Sequence, residues 1–65
     1  MCLLKAYVEK DGKRRLVAKD VALIYVKNGE FRLKNLKDME EIVLENVRLS
    51  TLDALNSIVI FEKET

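Results

Sequence analysis

The chain contains no histidine, no proline, no tryptophan, one cysteine and two glycines. Without histidine there is no imidazole to serve as a base near pH 7 or to complete a zinc site. With a single cysteine no intramolecular disulfide can form. A Ser-His-Asp or Cys-His arrangement is therefore excluded, and Gly12 and Gly29 stand alone in turn contexts, so there is no glycine-rich loop to cradle a phosphate. Long apolar runs are also missing. The longest, "VALIYV", falls far short of a bilayer span, and "MCLLKAYV" is broken by Lys5, so no membrane or secretory segment is expected and the cytoplasm is the expected compartment. There is no internal repeat, linker or low-complexity segment.

What is present fits one small globular domain over residues 1–65. Half the residues are hydrophobic (49%) and a third are charged (35%), a balance that is neither disordered nor fibrous. A chain of this length buries only about 60% of the surface its unfolded form exposes. Extra stability is expected from a partner chain or a metal. The net charge is +1, but its signs are unevenly placed: residues 1–20 carry six cations and three carboxylates, residues 41–65 two cations and five carboxylates. Opposite ends that attract suit a closed fold or a self-pairing dimer and are a poor footprint for nucleic acid.

The dominant pattern is β. From Leu3 to Glu9 the residues alternate, with Leu4, Ala6 and Val8 on one side and Lys5, Tyr7 and Glu9 on the other. Asp11-Gly12 is a hairpin turn signal, and residues 15–18 are expected to pair back. "VALIYV" reads as a strand covered on both faces, and Asn28-Gly29 as a type I′ turn into a second hairpin that puts Phe31 and Leu33 inside. Residues 35–55 are ambiguous. Leu36, Met39, Val43 and Val47 recur at helical spacing, whereas Ile42-Val43-Leu44 is β-branched and aliphatic in the manner of a buried strand. Residues 53–56 read as an Asp-led turn. "SIVIFEK" closes as a strand, with Ile58 and Ile60 on one face and Val59 and Phe61 on the other. About five to seven short strands with turns between them predict an all-β fold, a small barrel.

Two clusters carry candidate chemistry. If Met1 is removed, Cys2 becomes the first residue and holds an amine beside a thiol, a pair that chelates a metal; equally, Cys2 is a small apolar residue at the start of an ordinary strand. The run "KDGKRRL" presents Lys13, Arg14 and Arg15, which could contact RNA phosphates with Tyr7 or Tyr25 as stacking partners, or could be a solvated hairpin tip whose charges prevent edge pairing. Tyr7, Tyr25, Phe31 and Phe61 are expected in the core or on a dimer face. Glu40, Glu41 and Glu62 read as surface charge, because adjacent strand residues point to opposite faces.

The start "MCLLKAYV", then "KDG", "VALIYVKNGEFRLKNL" and "LDALNSIVIFEK", resembles the CooT family of small proteins across nearly the whole chain. The resemblance implies a compact SH3-like or Sm-like barrel, a homodimer, and Ni(II) bound through the N-terminal cysteine by an accessory protein that serves carbon monoxide dehydrogenase, a client nickel enzyme. Only Cys2 carries over as a ligand. Its amine and thiolate close a five-membered ring of the nitrogen and sulfur donors that Ni(II) accepts, and a two-fold dimer could bring two such residues to one ion. Members of the family are also labelled predicted RNA-binding proteins. On this basis the chain is expected to be a binding protein and not an enzyme, with an RNA-binding module using residues 13–15 as the alternative. The resemblance also bears on residues 36–45. Relatives tend to have a glycine between two strands where Asn46 stands here, and Asn tolerates the left-handed region, which favours two strands meeting at a bend over one helix. "LKDMEE" departs from the pattern and leaves room for a short helical turn. The turn before the last strand lacks the histidine found in relatives, so no metal ligand is expected from it.

Overall fold

The computed structural model describes residues 3–64. Six strands follow one another: β1 Leu4–Lys10, β2 Lys13–Lys27, β3 Glu30–Asn35, β4 Glu41–Leu44, β5 Val47–Asp53 and β6 Ile58–Lys63. They form one sheet in the order β4-β3-β2-β1-β6-β5, antiparallel throughout except where β1 lies parallel to β6. No helix of these residues is long and apolar enough to cross a membrane.

The turn chemistry sets this topology. Asp11 and Gly12 (φ 52° and 76°) and Asn28 and Gly29 (φ 53° and 75°) are paired left-handed residues, the requirement of a type I′ hairpin turn. Between those turns the chain does not break. The two segments expected on either side of Lys19-Asp20 form a single strand of 15 residues, kinked where Asp20 takes φ 52° and the pairing slips from β1 to β3. A bulge of this kind bends a strand without ending it, so one strand serves two hairpins. Its second half is not covered on both faces, contrary to the expectation from its apolar run: Leu23 and Val26 remain 50% and 60% exposed.

The ambiguous region resolves as two strands. Asn46, at φ 57°, turns the chain sharply between β4 and β5, and residues 36–40 form a turn, without helix, held by the Asn35 side chain accepting from the backbone N–H of Lys37. β4 and β5 stand at opposite ends of the sheet order, which in a flat sheet would separate them by about 24 Å, five spacings of about 4.8 Å. Only Glu45 and Asn46 join them, a link that spans about 10 Å at most. The sheet must therefore curl. It does so around Ala6, Ala18, Val21, Leu33, Val47, Val59 and Phe61, with the rings of Phe31 and Phe61 4.9 Å apart across the interior.

The all-β class and strand number are as the pattern implies, but the curled sheet does not close into a barrel. No pairing joins β4 to β5, because β4 has four residues and the Asn46 bend turns β5 away from it at once. The consequence is an open side on which Leu49 and Leu52, opposite the buried Phe61 and Val59, stay 50% and 60% exposed.

Candidate functional site

The two ends of β1 mark two distinct regions. At its start, Leu4 pairs with Val21, and the backbone N–H of Lys5 donates to the Ser57 carbonyl at 3.0 Å. The turn after β5 is thereby fixed beside the point where the N-terminus enters the sheet. That turn is tied by Asp53, which accepts from the Asn56 backbone at 3.0 Å and from its side-chain amide at 2.9 Å; these bonds, the side-chain one foremost, hold the Asp53 carboxyl below its usual range. Leu55 at the tip is 92% exposed. Cys2, the expected metal ligand, lies outside the described residues. Among the described residues no group of three or more His, Cys, Asp or Glu side chains is placed to hold a metal ion.

At the other end of β1, the β1–β2 hairpin leans over the corner between β4 and β5 and leaves an open cleft of about 770 Å³. Its floor is apolar: Val8, Val17, Val43, Leu44 and Val47. Lys10, Lys13, Arg14 and Arg15 line it from the hairpin and Lys63 from the end of β6, where the Lys63 ammonium donates to the Glu45 carbonyl at 3.2 Å.

Strand alternation divides the basic cluster. Arg15 lies opposite Val8, whose side chain packs against the core, so Arg15 and, two residues on, Lys13 belong to the inner face. Arg14 lies opposite Glu9 on the outer face and donates to its carboxylate at 3.0 Å. All three residues border the cleft, but strand alternation separates them: the Arg14 guanidinium is paired with Glu9 on the outer face, whereas Lys13 and Arg15 form no ion pair among the described residues. Neither tyrosine joins them in the cleft: Tyr7 pairs with Leu16 and Ile60 on the outer face, and Tyr25 opposes Arg32 on the outer face of the other hairpin.

The outer face carries two charge arrangements that the sequence did not disclose. Arg14, Glu9, Glu62 and Arg48 form a row across four strands, with Arg48 bonded to Glu62. On the other half Arg32 donates to Glu30 at 2.8 Å and to Glu41 at 3.0 Å, and the Tyr25 hydroxyl also donates to Glu41. The Tyr25 bond, followed by that from Arg32, pushes the Glu41 carboxyl down, and the same contact raises the Tyr25 hydroxyl. Glu41 is thus a fixed acceptor and not free surface charge. Its signal was present only as alternation: Tyr25, Arg32 and Glu41 reach one face once the register of three strands is known.

No curated protein matches the chain. Among solved structures, a protein of Carboxydothermus hydrogenoformans assigned to CooT superposes with a TM-score of 0.86 at 17% identity, covering 98% of this chain and 100% of that one, a likeness of fold. The family described as CO dehydrogenase accessory protein CooT matches residues 1–62, almost the whole chain and including the Met-Cys start. The protein therefore belongs to the CooT family, accessory proteins of CO dehydrogenase and not themselves catalysts.

Proposed function

We propose that this accessory protein handles nickel in the cytoplasm for its client enzyme, with Cys2 as the ligand. The observation that carries the reading is the family match, which begins at residue 1 and so takes in the Met-Cys start. Removal of Met1 gives Cys2 a free amine, and amine and thiolate close one chelate ring around Ni(II), whose preference for nitrogen and sulfur in tetragonal geometry suits that pair. The metal here is cargo: it arrives, is held by a small donor set and leaves for the client.

One such residue offers two donors, and a second copy offers two more. A homodimer with the two N-termini adjacent supplies four donors to one ion through a single isologous contact. Apolar surface suited to that contact lies at the same end of the fold, where the β5–β6 turn flanks the start of β1: Leu52 on the unpaired edge of β5 and Leu55 at the turn are 60% and 92% exposed.

The test is titration of the protein, with its N-terminus verified by mass, using Ni(II) and following thiolate-to-metal absorption and native mass. One ion per two chains and loss of the band in Cys2→Ser are expected. Absence of the band in protein that begins at Cys2 defeats the reading.

A further inference from the structure

The inner face of the β1–β2 hairpin carries charge that folding does not require. Lys10 and Lys13 lie directly opposite one another, and Arg15 follows on the same face. Like charges directly opposite on paired strands are destabilising, and among the described residues none of the three forms an ion pair. The outer face of the same hairpin is built the other way, with Arg14 opposite Glu9 and bonded to it. One basic run is thus sorted into a neutralised outer row and an uncompensated inner row.

The inner row overhangs the valine and leucine floor of the cleft, with Asp11 and Glu45 the carboxylates on its rim. A ligand that matches both features brings negative charge to the rim and an apolar group to the floor. Single-stranded nucleic acid supplies the first but seats its bases by stacking on aromatic side chains, and no aromatic side chain lines the cleft. A peptide supplies both, since carboxylates accept charge-assisted hydrogen bonds from lysine and, in bidentate fashion, from arginine.

We propose that this cleft docks an acidic segment of a partner protein, seating an apolar side chain against Val8, Val17 and Val47 and its carboxylates against Lys10, Lys13 and Arg15. The accessory role is the reason to expect a protein partner; the charge argument itself is independent of nickel. The cleft and the N-terminus lie at opposite ends of β1, about 20 Å apart by strand rise. Docking and metal binding are therefore separable in experiment.

The probe is an array of octapeptides that place two apolar residues among glutamates in every order, with glutamine-for-glutamate and serine-for-leucine controls, and octauridylate as the nucleic-acid comparison. Binding of acidic, apolar members is expected, with amide shifts in the nuclear magnetic resonance spectrum confined to residues 8–17, 43–47 and 62–64. The double variant Lys13→Gln, Arg15→Gln should weaken binding by at least about tenfold through loss of its charge-assisted bonds. The same variant should melt no lower than the parent, since it relieves repulsion, and should leave the nickel titration unchanged. No binding by any peptide, indifference to the serine control, preference for octauridylate, or shifts elsewhere would each overturn the proposal. A lost nickel signal with peptide binding intact would defeat only the metal reading.

Discussion

Replacing Phe61 by leucine tests whether the interior between the two halves of the sheet is what keeps the sheet curled. Phe61 is fully buried on β6, opposite Val8 of β1 and Leu49 of β5. Its ring meets Phe31 at 4.9 Å and an interplanar angle of 58°, and Phe31 belongs to β3, three positions away in the sheet. That contact closes the curl without backbone pairing. Truncation to alanine would cost about 3–5 kcal/mol, comparable with the total of about 3–10 kcal/mol expected for a chain of this length, and would unfold much of the protein. Leucine retains most of the apolar volume, so the loss should be about 2 kcal/mol, of which about 0.5–1.5 is the aromatic pair. For a domain of this size that lowers the melting temperature by about 8–16 °C. The assay is thermal and urea unfolding of the parent, Phe61→Leu, Phe31→Leu and the double variant. The cycle should return a coupling of about 0.5–1.5 kcal/mol. A shift below about 3 °C, or a coupling near zero, would refute the argument that this pair holds the halves together.

The Asn46 bend should behave as a backbone requirement: Asn46→Ala is expected to cost about 1 kcal/mol in chemical unfolding, from its left-handed φ of 57°, and Asn46→Gly to be neutral or stabilising. Equal effects of the two would show that the side chain, not φ, matters there. A pH prediction follows from Glu41 and Asp53, both held below the usual carboxylate range by their hydrogen bonds. A lowered native pKa contributes stability above the unfolded value of about 4 and loses it as pH falls through the native one. Melting temperature should therefore drop below about pH 4, and Glu41→Gln or Asp53→Asn should each flatten that limb; an unchanged slope in both would contradict it.

Much of the local structure was legible because it depends on residues adjacent in sequence. Asp11-Gly12 and Asn28-Gly29 specify their turns through left-handed φ, and the alternation of Leu4, Ala6 and Val8, like that of Val59 and Phe61, assigns the faces of β1 and β6 directly. In the ambiguous region apolar spacing fitted helix and strand alike, and Asn46 became informative only through the resemblance, whose relatives tend to have a glycine there. The kink at Asp20 was not legible: Asp is common in turns, and whether a left-handed Asp ends a strand or bends it depends on which strands lie to either side. The exposed half of "VALIYV" escaped for a related reason, since an apolar run says what a strand could bury and not how much neighbouring sheet there is to cover it.

Local pattern alone was enough for the all-β class, the two hairpins, the alternating faces of β1 and β6, and the resemblance to the family, through the Met-Cys start and the β pattern that follows it. Contacts between distant residues were needed to settle that β1 pairs in parallel with β6, that the sheet curls but stays open along β5, and that the cations of the first hairpin overhang an apolar cleft. The physical reason is the same throughout. Turns and alternation are local consequences of φ and the two-residue strand repeat, whereas strand order, curl and the gathering of charges over a cleft depend on contacts between residues far apart in the chain.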